Sequence, residues 1–287
     1  MAASPWLNVN LHYVALGDST TVGVGDPLAG CAVRLSGAGA VPGQGWRGWA
    51  SLLAESLGSS HRVTFSNVAT SGATAPLVAR EQLPSTGDDR IDLASLIVGV
   101  NDTMRSTFDP IEIRDSLQEC GDRLTARGAL LLTVRFHDHG QVFGLPKWLR
   151  RPLWRRIEVV NSLYDDLVAS YGGIRIDLAD RPEIYQRDFW SVDRLHPGER
   201  GHRRLARSFA DELVARGLPI DVLPALESDA RYAPSKWNDA VWMVREGIPW
   251  VGRRASDLMP WATRMALGHR VSAWPVSMDV PRSSSGP

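Results

Sequence analysis

The sequence predicts an α/β protein whose parallel sheet is covered by helices on both faces. Three observations carry that prediction. Short, nearly uninterrupted apolar runs recur at Tyr13–Leu16, Ile91–Val100 and Ala129–Val134, as expected of strands buried on both sides. Between them lie segments with apolar residues at helical spacing, such as Trp46, Trp49, Leu52, Leu53 and Leu57. Strand and helix alternate along the chain, and alternation of that kind builds parallel sheets through helical crossovers.

Taken in order, the first strand ends at Gly17-Asp18-Ser19. Residues 21–45 are glycine-rich, contain Pro27 and Pro42, and read as a long surface loop. A helix is expected over 46–58, with Gly58 as its C-cap. Arg62–Val68 alternates polar and apolar residues and reads as the second strand. The small-residue loop Ala69–Ala75 leads into a short helix over 76–83. Ile91–Val100 is the third strand. Helix 110–127 turns Ile111, Ile113, Leu117 and Leu124 inward. Ala129–Val134 is the fourth strand and Ile174–Ile176 a short fifth, with helices over 156–171 and 199–216. Beyond 217 the pattern breaks into a stretch rich in proline and tryptophan, with Trp237, Trp242, Trp250 and Trp261. The expected organisation is a main domain over 1–217 and a helical extension over 218–278, with a helix near 236–267 whose tryptophans are expected to glue it to the body, the alternative being that they bind sugar. A disordered tail over 279–287 completes it.

Composition narrows the classes. Lys+Arg and Asp+Glu both number 32 in 287 residues, so no global charge draws the chain to nucleic acid or an anionic membrane. Two cysteines, Cys31 and Cys120, indicate neither a disulfide framework nor a cysteine metal site, and both are expected unpaired. The opening MAASPWLNVNLHY has no basic region and no long apolar stretch. No secretory signal is read, no run reaches membrane-spanning length, and a cytoplasmic protein is expected.

Four small signals carry chemistry: Gly17-Asp18-Ser19, Ser71-Gly72, Gly99-Val100-Asn101-Asp102, and Asp193-Arg194-Leu195-His196-Pro197. Each alone is ordinary turn material. The first three follow predicted strands, and in a parallel sheet those strand ends converge on one edge. Together they supply what acyl transfer from an ester requires. Ser19 is the candidate nucleophile. His196 is its base, and Asp193, three residues earlier, orients the ring and stabilises the imidazolium. The backbone N–H groups of Ser19 and Gly72 and the side-chain amide of Asn101 are candidate oxyanion donors.

These blocks resemble the SGNH subgroup of the GDSL esterase/lipase family, named for the residues matched here by Ser19, Gly72, Asn101 and His196. The family's Asp-x-x-His block is matched by Asp193 and His196. The resemblance covers about residues 11–216, and the stretches GDSTTVGVGD and GWRGWASLLAE look most like a bacterial branch. It implies a flavodoxin-like three-layer αβα sandwich with a five-stranded parallel sheet, a Ser-His-Asp triad, no metal and no cofactor. The expected activity is hydrolysis of an acetyl or short acyl ester. The alternative is acyl transfer to an alcohol or amine by the same triad. An inactive ligand-binding module requires a missing block, and none is missing. The expected partner is a small-molecule or acylated substrate, not nucleic acid.

Other residues read more plainly. Asp102 is taken as structural and Asp26 as a loop acceptor. His202 is expected on a solvated helix face. His137 and His139 flank Asp138 and look metal-like, but without a third ligand they read as loop residues. Segment 137–156 reads as a long loop whose stretch KWLRRPLWRR stays open two ways. It is either a lid or interfacial patch, or a solvated helix start with its tryptophans packed inward. Asp18, Trp148, Trp154 and Trp190 are candidate substrate contacts.

Overall fold

The computed structural model describes residues 10–28 and 45–227. Cys31, the helix expected near 236–267 with its tryptophans, and the tail lie outside these residues. Five strands, β1 (Asn10–Gly17), β2 (Arg62–Asn67), β3 (Leu93–Ile97), β4 (Leu130–Arg135) and β5 (Ile174–Asp177), form one parallel sheet in the order β2-β1-β3-β4-β5. The helices are α1 (Ser19–Val22), α2 (Gly48–Leu57), α3 (Ala75–Leu77), α4 (Leu83–Ser85), α5 (Val100–Thr103), α6 (Pro110–Ala126), α7 (His139–Val142), α8 (Lys147–Tyr171) and α9 (Glu199–Ala215). A π-helical turn, Val78–Gln82, joins α3 to α4. Helix α2 packs on α9, and α6 packs on α3 and α8, giving the layers on either side of the sheet.

Burial explains the strand order. β3, at the centre, is buried at every position, whereas edge strand β2 is only half-buried. Tyr13 on β1 faces Phe65 on one side and Leu93 on the other in the strand register, and the Tyr13 and Phe65 rings stack at 5.1 Å. The β1→β2 crossover runs one way along the sheet, and the connections from β3 onward run the other. That reversal opens a crevice at the carboxyl ends of β1 and β3.

Several expectations need correction. Ile111, expected on the inner side of its helix, is 44% exposed, whereas Ile113, Leu117 and Leu124 are buried. The third strand is shorter than Ile91–Val100, because Val98 leaves the sheet. Its N–H donates to Tyr164 Oη (3.1 Å), and Tyr164 O–H donates to its carbonyl (2.9 Å). The helix expected at 156 begins at Lys147 and runs through Pro152, so most of the expected 137–156 loop is helical. His202 is not solvated: it is fully buried. It lies with Leu205, Phe209 and Leu213 on the inner stripe of α9. Its Nδ1 accepts the Trp49 N–H (3.2 Å) and its Nε2–H donates to the Val24 carbonyl (3.0 Å), so the buried ring is fully satisfied.

At the other end, the first residues of the expected extension lie against the body. Leu218 is buried, and the Asp221 and Val222 N–H groups donate to Ser60 and Ser59 hydroxyls (2.8 and 3.0 Å). Among the described residues no helix is long and apolar enough to cross a membrane.

Candidate active site

β1 delivers its last residue, Gly17, hard against β3: a Cβ there would lie 2.4 Å from the Ile97 carbonyl oxygen. The Asp18 N–H donates to that same carbonyl (3.3 Å). Asp18 then caps α1, accepting from the Thr20 N–H (3.0 Å). Ser19 is thereby the first residue of α1, at the mouth of the β1/β3 crevice. Asp18 has an internal role rather than an open face. It is buried, and burial pushes its carboxyl up to about 6, although the Thr20 bonds and nearby His196 pull against that rise.

His196 arrives from the loop after β5. Its Nε2 accepts from Ser19 Oγ at 2.8 Å and its Nδ1–H donates to Asp193 Oδ2 at 2.6 Å. Those two bonds settle the neutral tautomer, with the proton on Nδ1. The other Asp193 oxygen accepts from Ser191 Oγ (2.6 Å), the Leu195 N–H (2.9 Å) and the His196 N–H (3.0 Å). The loop curls tightly enough for this because Arg194 adopts φ +54°, a left-handed conformation that costs a non-glycine residue about 1–2 kcal/mol. Burial alone would lower the His196 pKa, but the Asp193 charge and hydrogen bond outweigh it and the net shift is upward. Burial likewise tends to raise Asp193, and the His196 interaction and the donors around it bring it below the usual carboxylate value.

The other candidate oxyanion donors are Gly72 and Asn101. Gly72 has φ +83°, a conformation that favours glycine. Among the described residues no backbone carbonyl takes the N–H of Ser19 or of Gly72. Asn101, at the start of α5, donates from Nδ2 to the Ala73 carbonyl (3.0 Å) and at longer range to Asp18 Oδ2 (3.4 Å). Asp102 is structural, as expected: it accepts from the Ala75 N–H at the start of α3 (3.2 Å), and burial pushes it up to about 7. Asp26 accepts from Arg47 and from the Gly48 N–H.

Sequence reasoning missed Ser191, Gln82 and Arg105. Arg105 donates to the Gly72 carbonyl (3.3 Å), and Gln82 reaches Gly17. Side chains that bind distant backbone groups leave no motif. Only Ser191, two residues before Asp193, carries a local signal, the serine turn.

The remaining candidates are dispersed. Trp148, on the first turn of α8, is 55% exposed. Trp154 packs against the main core and Trp190 forms a satellite cluster with Ile184 and Phe189. Of His137 and His139, read as loop residues, His137 precedes α7 and His139 begins it; both are buried and their rings stack at 4.0 Å, with Trp190 5.0 Å from His137. Among the described residues no group of three His, Cys, Asp or Glu is placed to hold a metal. Cys120 is buried and unpaired. A cavity of about 50 Å³ opens among Thr20, Val100, His137, Trp190 and Pro197; Trp148 and Trp154 do not line it.

A model of the GDSL-like lipase/acylhydrolase family matches residues 15–204. The chain belongs to that family. It is therefore a serine hydrolase of the esterase type, and the matched span contains all four blocks. Solved structures share its fold. TesA is 18% identical with a TM-score of 0.51, covering 71% of this chain and 99% of that one. The lipase/acylhydrolase from Enterococcus faecalis is 19% identical at 0.50, covering 72% and 96%. LAE5, an α/β hydrolase enzyme from the metagenome of Lake Arreo, Spain, is 21% identical at 0.51, covering 76% and 97%. At such identities the likeness is one of fold. A search of curated proteins returns no match.

Proposed function

We propose that this chain hydrolyses a carboxylic ester of a short acyl group, with Ser19 as nucleophile, His196 as base and Asp193 as its orienting carboxylate. The observation that carries the reading is the unbroken chain from Ser19 Oγ to His196 Nε2 (2.8 Å) and from His196 Nδ1 to Asp193 (2.6 Å). As Ser19 attacks the ester carbonyl, its proton passes to Nε2. The N–H groups of Ser19 and Gly72 and the Asn101 amide receive the negative charge that develops on the carbonyl oxygen. Collapse expels the alcohol, which takes the proton from His196, and leaves an acyl group on Ser19. Water, deprotonated by the same histidine, repeats the sequence and releases the acid. Asp193 stays ionised throughout and stabilises the imidazolium.

Fluorophosphonate labelling tests the nucleophile: the wild type is labelled and Ser19→Ala is not, with ester turnover lost in parallel. Equal labelling of both refutes the assignment. A panel of p-nitrophenyl esters should show acetate and butyrate ahead of longer chains. Repeating it with an added alcohol reads out transfer, since a new ester would then replace free acid as product.

A further inference from the structure

The nucleophile turn and the loop bearing Gly72 are joined by a buried side chain that the mechanism above does not use. Gln82 is 2% exposed. Its Oε1 accepts from the Gly17 N–H (2.9 Å), and its Nε2 donates to the Gly17 carbonyl (2.8 Å) and to Thr70 Oγ1 (3.1 Å). A single amide therefore engages both backbone groups of the residue two before Ser19, and also a residue two before Gly72.

The sheet explains why an amide stands there. β1 and β2 pair as far as Ala15 and Asn67. Beyond that point β2 peels away to become the Gly72 loop, leaving Gly17 short of a partner strand: among the described residues the one backbone donor to its carbonyl on this side is the Thr70 N–H (3.3 Å). A glutamine side chain has the donor and acceptor of a peptide group, so Gln82 supplies the rung that β2 gives up. Its backbone belongs to the π-helical turn Val78–Gln82, a distortion found disproportionately at functional sites. The turn is braced at both ends: Asp102 accepts from the Ala75 N–H, and Ser85 O–H donates to the Gln82 carbonyl (2.7 Å).

We propose that Gln82 is a positioning residue that sets the separation between the Ser19 and Gly72 N–H groups, and so the geometry offered to the oxyanion. The proposal rests on the Ser19 and Gly72 roles given above. Displacing reacting groups by about 1 Å costs up to roughly a hundredfold, and the oxyanion is where that loss would fall.

The test measures p-nitrophenyl acetate kinetics, a pH profile and thermal unfolding on wild type, Gln82→Ala and Gln82→Met. The methionine variant keeps the length and approximate volume of the side chain, loses its amide and adds no charge beside His196, so it reports on the contacts if the alanine variant folds poorly. Below the unfolding transition, kcat should fall about ten- to a hundredfold with KM within about threefold. The acid limb of the profile should stay in place, because the His196–Asp193 pair is untouched. Combined with Asn101→Ala, the loss should be smaller than the product of the two single losses, since both act on the same oxyanion. Wild-type kcat in folded variants, with only the melting temperature lowered, overturns the proposal. So does a shifted acid limb, or a double mutant whose losses multiply. Fluorophosphonate labelling of the wild type separates the two levels. Labelling at Ser19 with unaffected Gln82 variants defeats the Gln82 role alone. Labelling elsewhere defeats the site reading and this proposal with it.

Discussion

Two pairings of aspartate with histidine lie at the same edge of this sheet, and they have opposite electrostatic outcomes. In the loop after β5, Asp193 faces the ring of His196 at 2.6 Å and the histidine pKa rises. After β4, Asp138 sits between His137 and His139, yet burial drives His137 well below its usual value and His139 down to about 4. Sequence proximity favours the second pairing; geometry chooses the first. Asp138 is extended, with φ −73° and ψ 90°, so its side chain points away from the face its neighbours share. It caps α7 through the Gln141 N–H (3.0 Å) and receives Arg150 (2.7 Å). Arg194 in the left-handed region instead folds Asp193 back beneath a ring three residues later. Both carboxylates raise a neighbouring histidine, but only the one a turn aims at the ring outweighs burial, and that turn is the costly part of the construction.

The same substitution made at both aspartates gives the largest contrast. Asp193→Asn should lower kcat about ten-thousandfold, because the amide no longer holds the ring in the tautomer that leaves Nε2 free. The pH profile sharpens this. As the base proposed above, His196 works only when neutral, and the Asp193 charge shifts its pKa upward from the ordinary histidine value, so wild-type kcat/KM should fall as the pH drops through that raised value. Removing the Asp193 charge should move that limb to lower pH. An acid limb unchanged in Asp193→Asn would mean that the carboxylate does not act on His196.

How much of this was legible depends on whether a contact is local. The strand-to-turn junction at Gly17-Asp18-Ser19, the Asp193-x-x-His196 spacing and the alternation of strands and helices are all short-range patterns, and each was readable. Misreadings arose where distant contacts decide. The expected helix starts at 156, and a proline such as Pro152 disfavours a helical residue before it. Yet α8 extends back to Lys147. It is held there by contacts such as Arg150 to Asp138, and by Arg156 donating to the Thr103 and Arg105 carbonyls (2.9 and 2.7 Å). His202 reads as polar and hence exposed, but the Trp49 N–H and the Val24 carbonyl, 153 and 178 residues away in sequence, satisfy it. Gln82 is invisible for the same reason.

Stability should report the second pairing as activity reports the first. His139 is buried as the neutral ring, with its folded pKa near 4 against an ordinary 6.5. As the pH falls below 6.5 the unfolded chain binds this proton first, so its contribution weakens progressively until about pH 4. The loss from this one residue is on the order of 2–3 kcal/mol across that window. Asp18 and Asp102, whose carboxyls are raised to about 6 and 7, act oppositely, since the folded state holds their protons more tightly. The comparison therefore needs a variant. His139→Phe should lose less stability than the wild type between pH 7 and pH 4.5, measured by urea unfolding. Equal losses would remove His139 from the acid response.

The smallest effect is expected from Asp138→Asn, the counterpart of Asp193→Asn. Asparagine keeps the side-chain oxygen that caps α7, so the Gln141 N–H remains satisfied. What disappears is the charge facing Arg150, whose side chain is 39% exposed, and such partly solvated pairs contribute about 1 kcal/mol or less. His139 loses a nearby negative charge that had been raising its pKa, but a ring already neutral at pH 7 is unchanged by a further downward shift. Asp138 makes no bond to Ser19, His196 or Asp193, so kcat should stay within about twofold of wild type while the melting temperature falls by a few degrees at most. Kinetics and thermal unfolding on the two asparagine variants, run side by side, test the contrast directly. If Asp138→Asn reduced kcat by more than tenfold while folded, the buried histidine pair would have to communicate with the Ser19–His196 chain, and the separation drawn here between a carboxylate that activates a base and one that only anchors a helix would not hold.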